Sequence, residues 1–109
     1  MGLRNLPTQE PAQLAGLIAA GTHQVSSMGL ASFDAPVDMT LLAFSEGEEV
    51  SEEAYDGDTL YYLVEGAADI VFSDRTVRMS AGDVLMVPRG VLNAVRSAGA
   101  FKVLQITLP

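Results

Sequence analysis

The chain has 109 residues, 49% of them hydrophobic and 18% charged, with a formal net charge of −8 and no cysteine. This length and apolar content describe one packed domain, not a disordered acidic tail, and the missing cysteine excludes disulfides, thiolate catalysis and thiolate metal sites. Negative charge without a basic stripe also removes the electrostatic footprint of a nucleic-acid partner or an anionic membrane surface, so neither is expected.

From the N-terminus, "PAQLAGLIAA" at 11–20 puts Pro11 at a first helical position, Leu14, Leu17 and Ile18 at helical spacing, and Gly21 at a stop, which predicts a short helix. Its apolar run is far shorter than the roughly 20 residues of a membrane span and lacks a basic flank. Neither signal peptide nor anchor is expected, and the reading is cytoplasmic. Beyond Gly21, turn residues recur every several positions and separate short stretches rich in Val, Leu, Ile, Phe, Tyr and Thr. That rhythm predicts an all-β sandwich or barrel, with strands near 23–32, 37–45, 48–54, 59–65, 67–73, 75–79, 83–88, 91–97 and 100–108. "TLYYLV" and "VLMVP" are apolar at nearly every position, so both faces of those strands need cover from a second sheet or another subunit.

The acidity is local. Glu46 to Glu65 holds eight acids and no base, whereas Gly66 to Pro109 holds five bases and three acids. Hard cations such as calcium take several oxygen ligands, but these acids do not follow the EF-hand spacing, and they read as a solvated turn.

Two stretches carry a more specific pattern. "GEEVSEEAYDGDTLYYLVEG", Gly47 to Gly66, and "GDVLMVPRGVLNAVRS", Gly82 to Ser97, resemble in their fixed positions the two sequence motifs of the cupin superfamily. Gly47 and Gly66 match both ends of the first motif, Gly82, Pro88 and Gly90 match the second, and Ala67 to Ala81 form the short gap between them. The resemblance covers about 39–109. It implies a jelly-roll (double-stranded β-helix) cupin barrel with an open pocket, often assembled as a dimer. We divide this single domain into residues 1–36, a helix and leading strand packed on the barrel, and residues 37–109, the barrel itself.

In the cupin motifs three histidines and one glutamate are implied to hold a first-row transition metal. Here those positions fall on Glu53, Tyr55, Thr59 and Asn93, and the final Asn position of the second motif falls on Ser97. One carboxylate, a phenol, a hydroxyl and an amide are poor ligands for such ions, so no metal cofactor is expected. The only histidine, His23, precedes the motifs and reads as a surface residue, since one ligand makes no site.

Alternation along "TLYYLVEG" puts Thr59, Tyr61 and Leu63 on one face and Leu60, Tyr62 and Val64 on the other. The candidate pocket is therefore Glu53, Tyr55, Thr59, Tyr61 and Asn93, with Tyr62 at a subunit interface. The frame turns Glu53 inward, where apolar surroundings would disfavour its charged form. Arg89 reads as exposed and Arg96 as pointing away from the pocket. The first functional expectation is a homodimer that binds a small polar molecule without a metal. A metal-independent isomerase or lyase using Glu53 and Tyr55 as base and acid is the alternative, and a dimeric interaction scaffold a third.

Overall fold

Alternating burial shows how the strands are laid down. In Thr59–Glu65 the residues Thr59, Tyr61 and Leu63 are fully buried, while Leu60, Tyr62 and Val64 are half-buried. The computed structural model describes residues 2–109 and contains nine strands: β1 (Val25–Gly29), β2 (Asp38–Phe44), β3 (Glu49–Glu53), β4 (Thr59–Glu65), β5 (Ala67–Val71), β6 (Thr76–Ser80), β7 (Val84–Val87), β8 (Asn93–Ser97) and β9 (Phe101–Thr107). Each corresponds to a predicted strand. They form two antiparallel sheets, ordered β1-β2-β9-β4-β7 and β3-β8-β5-β6, which face each other as the jelly roll that the motifs imply.

The core lies between the sheets. Phe44, Tyr61, Leu63, Val87, Phe101 and Val103 from the five-stranded sheet meet Ala68, Ile70, Met79 and Val95 from the four-stranded one. Phe44 and Phe101 are cross-strand partners whose rings stack with centroids 4.3 Å apart. Such a pair adds roughly 0.5–1.5 kcal/mol beyond the area it buries.

The glycines of the two frames make corners. Gly47, Gly66, Gly82 and Gly90 have φ values of 89°, 81°, 94° and 78°, a region that side chains disfavour. At Gly66 a Cβ would also lie 2.3 Å from the Ala100 carbonyl oxygen. The two frames are tied together, because the Gly90 N–H donates to the Tyr55 carbonyl at 2.9 Å and the Arg89 N–H to the Asp58 carboxylate at 2.9 Å. Asp58 is thus a turn anchor within an otherwise solvated acidic run.

The helix predicted over 11–20 does not form. Only Leu14–Leu17 makes a single 3-10 turn, Gln13 before it is extended and gives no capping hydrogen bond, and no residue of the turn is fully buried. Without a cap or a buried face, and with Gly16 inside, so short a segment does not overcome the cost of helix nucleation. It packs on the outside of the five-stranded sheet, where Lys102 donates to the Ala15 carbonyl at 2.6 Å and reaches Glu65 at 3.3 Å. On that side Leu41 and Ala43 are fully buried although they lie outside the core cluster. The segment also packs on β4, one of the two strands expected to need cover on both faces, so part of that cover comes from the chain's own N-terminal segment. Among the described residues, no helix is long and apolar enough to cross a membrane.

Candidate functional site

The two frames bring four of the five predicted residues into one neighbourhood. β3 and β8 pair through a register shift between Val50 and Glu53, which sets Glu53 opposite Asn93. Tyr61, from β4 of the other sheet, reaches across the barrel and donates its hydroxyl to Asn93 Oδ1 at 2.9 Å. Asn93 Nδ2 donates to the backbone carbonyls of Glu53 at 3.3 Å and Val91 at 3.1 Å. The amide is buried and occupied on both its oxygen and its nitrogen, as a buried amide must be to avoid a desolvation cost.

Tyr61 is held neutral. Burial foremost, then the charge and hydrogen bond of Tyr55, then the charge of Glu53, push its phenol well above the ordinary value. Tyr55 is half-buried beside it.

Two residues depart from expectation. Glu53 is exposed, not buried among apolar side chains, because β3 is an edge strand with a bulge that leaves its C-terminal end in solvent. Thr59 points inward as predicted, but its hydroxyl is shared with Thr107 Oγ1 at 3.0 Å and the Gly57 carbonyl at 3.4 Å. Sequence reasoning gave Thr107 no role. Alternation along β9 from the buried Phe101 and Val103 would have placed Thr107 on the inner face. His23 is exposed on a turn, and Arg89 and Arg96 are exposed as well.

These donors do not suit a transition metal. The Asn93 oxygen already accepts from Tyr61, the Thr59 hydroxyl is engaged by Thr107, and no imidazole is near. Among the described residues, no group of three or more His, Cys, Asp or Glu is placed to hold a metal ion.

Two clefts open elsewhere on the molecule. One, of about 520 Å³, lies between Gly21–His23 and Ser45–Glu46. The other, of about 530 Å³, is lined by Arg4, Phe33, Asp38, Thr40, Asp56 and Thr107 among others. Neither is lined by the five predicted residues, and only Thr107, through its bond to Thr59, links the second cleft to them. Fixed and desolvated polar groups confer specificity, and at the predicted residues the fold supplies them in the hydrogen-bonded cluster and not in an open cleft.

Comparison with known proteins places this architecture. Residues 24–109 match the family model described as ethanolamine utilisation protein EutQ. A cupin superfamily protein from Desulfitobacterium hafniense is 49% identical, with a TM-score of 0.93 over 97% of this chain and 96% of that one. A conserved protein of unknown function from Streptococcus pyogenes superposes with a TM-score of 0.92 at 20% identity, over 99% of this chain and 94% of that one. The EutQ protein of Clostridium difficile has a TM-score of 0.68 at 20% identity, over 78% of this chain and 68% of that one. These last two show the fold alone. No curated protein matches the chain.

Proposed function

The chain belongs to the EutQ family of cupins, and from that premise we propose that it is a cytoplasmic homodimer that binds a small polar molecule in its barrel without a transition metal. One observation carries this reading: at the position where the cupin motif would supply a ligating histidine, Asn93 is committed to Tyr61, Glu53 and Val91 by hydrogen bonds. The Tyr61–Asn93 pair forms a rigid floor, with Tyr55 half-buried beside it and Glu53 at the solvent-facing end of β3, and these two side chains would orient a ligand at the mouth of the barrel. Exposure of Glu53 gives the acid–base alternative less support, since a general base must be held within hydrogen-bond reach of the proton it takes and this carboxylate is not enclosed with a substrate.

The dimer reading rests on the outer face of the five-stranded sheet. Val84 and Met86 on edge strand β7 are 62% and 57% exposed, and they sit beside the half-buried Leu60 and Tyr62 of β4. A contiguous apolar face of this kind suits an isologous contact with a second copy.

Two measurements on the purified protein test the ligand proposal. Elemental analysis should find well below one equivalent of transition metal per chain. A thermal-shift screen should find stabilisation by a small polar compound, and the family's name makes ethanolamine the first probe, followed by small acids and sugars. Stoichiometric iron, nickel, manganese or zinc that survives dialysis would overturn the metal-free reading. Stabilisation that persists unchanged in Tyr55→Phe and Glu53→Gln would overturn the assignment of the pocket.

A further inference from the structure

The cleft around Arg4 has a construction of its own. Its floor continues the core-facing side of the five-stranded sheet past the end of the core. On β2, Thr40 and Asp38 extend the face of Phe44 and Leu42, and Asp38 pairs with Thr107 of β9, on the same side. On β1, Gly29 pairs with Thr40. The cleft therefore opens at one end of the barrel, next to the Thr59–Thr107 bond.

Arg4 is brought there by a docked arm. Its N–H donates to the Leu30 carbonyl at 2.8 Å, the Ser32 N–H to the Gly2 carbonyl at 2.7 Å, and Asn5 Nδ2 to the Gly29 carbonyl at 2.8 Å. Residues 2–5 thus lie along 29–32 like a short extra strand, with Leu3 bridged to Ala31. The guanidinium crosses the space left by the missing side chain of Gly29, 2.8 Å from where a Cβ would stand, and its Nε donates to the Ala31 carbonyl at 3.1 Å. Any side chain at position 29 would displace it.

Among the described residues Arg4 makes no ion pair, although Asp38 and Asp56 line the same cleft. Of the two, Asp38 accepts only from the Thr40 hydroxyl, at 3.0 Å. Arg4 and the two carboxylates thus present both signs of charge to one cleft without pairing, and a molecule bearing both charges can bridge them. Phe33 on the rim is fully exposed and, with Pro36, gives the cleft an apolar wall. The volume of about 530 Å³ lies within the usual range for small-molecule sites.

We propose that this cleft binds a small zwitterion of the α-amino-acid type, with its carboxylate on Arg4, its ammonium on the carboxylates of Asp38 and Asp56, and an apolar substituent against Phe33 and Pro36. Arg presents a planar fork that matches a carboxylate in bidentate fashion, and the docked arm fixes it before the ligand arrives. This site is separate from the Tyr61–Asn93 cluster and does not depend on the barrel reading.

Titration calorimetry on the full chain with L-leucine and L-phenylalanine tests the proposal, beside N-acetyl-L-leucine, which lacks the ammonium, and leucinamide, which lacks the carboxylate. The amino acids should bind at least about tenfold more tightly than either singly charged analogue. Arg4→Gln should weaken L-leucine and N-acetyl-L-leucine by about tenfold or more and leave leucinamide unaffected. Asp38→Asn, which leaves the arm in place, should weaken L-leucine and leucinamide instead. The assignment is overturned if neither amino acid binds at millimolar concentration, or if both variants bind L-leucine as the parent does. Binding that depends on Tyr55 and not on Arg4 would also overturn it, while leaving the barrel proposal standing.

Discussion

The two sheets follow the same rule on the inside and opposite rules on the outside. Toward the core each presents alternate apolar side chains, from Tyr61 and Val103 on one to Ile70 and Val95 on the other. Away from the core the four-stranded sheet carries Glu49, Arg96, Asp69 and Arg78 in cross-strand register, one from each strand, so that charge alternates in sign across all four strands. Asp69 and Arg78 are joined at 2.6 Å. The outer face of the five-stranded sheet has Leu60, Tyr62, Val84 and Met86 in register instead, and farther along, by Glu65 and Lys102, it is packed under the segment around Leu14–Leu17. One face is built for water. The other is finished partly by the chain itself and, in the proposed dimer, by a second copy.

The largest effect should come from imposing the rule of the first face on the second. Tyr62→Glu combined with Met86→Glu would bring four unpaired carboxylates together across a two-fold axis, and burying such charges costs several kcal/mol. The dimer constant should weaken at least about a hundredfold, read by sedimentation or light scattering across a concentration series. A parent protein that is monomeric at micromolar concentration would remove the premise. Persistence of the dimer in the double variant would move the interface to another face.

An intermediate effect is expected between the sheets, where Tyr61 of one bonds Asn93 of the other. Tyr61→Phe leaves the Asn93 oxygen buried without its donor and should cost about 1–3 kcal/mol in urea unfolding. Because burial raises the phenol's pKa in the folded chain, the neutral form stabilises fully below the unfolded value of about 10 and loses that contribution as pH climbs above it. Parent stability should therefore fall above about pH 10, and the gap between parent and Tyr61→Phe should narrow there. A gap that widens with pH would contradict the assigned environment.

The smallest effect should follow Asp69→Ala in the charge ladder. Arg78 is exposed, and a pair of this kind adds little in water and less in salt, so the melting temperature should move by no more than about 2 °C. A larger loss would mean that the ladder is structural rather than a solvated finish.

Much of the fold is legible in the sequence. Turn residues spaced the nine strands, alternation gave the inner face of β4, and the frame glycines marked corners that adopt positive φ. The helix over 11–20 failed because helical spacing of Leu14, Leu17 and Ile18 describes a face without saying what buries it. Glu53 was misread for a related reason. A motif position fixes where the backbone lies, but the edge location of β3 and its bulge decide whether the side chain leaves solvent.

By itself the sequence determined the features that act over a few residues: the strand period, the turns that need glycine, the local concentration of acid and the absence of thiols and clustered histidine. Tertiary structure alone decided how the polar groups are satisfied. Tyr61 and Asn93 are 32 residues apart, Thr59 and Thr107 48 apart, and Arg4 lies 27 residues before the carbonyl that holds it. No periodicity connects such positions. They meet because closing two sheets over one apolar core removes water from groups that must then bond to whatever the fold brings near.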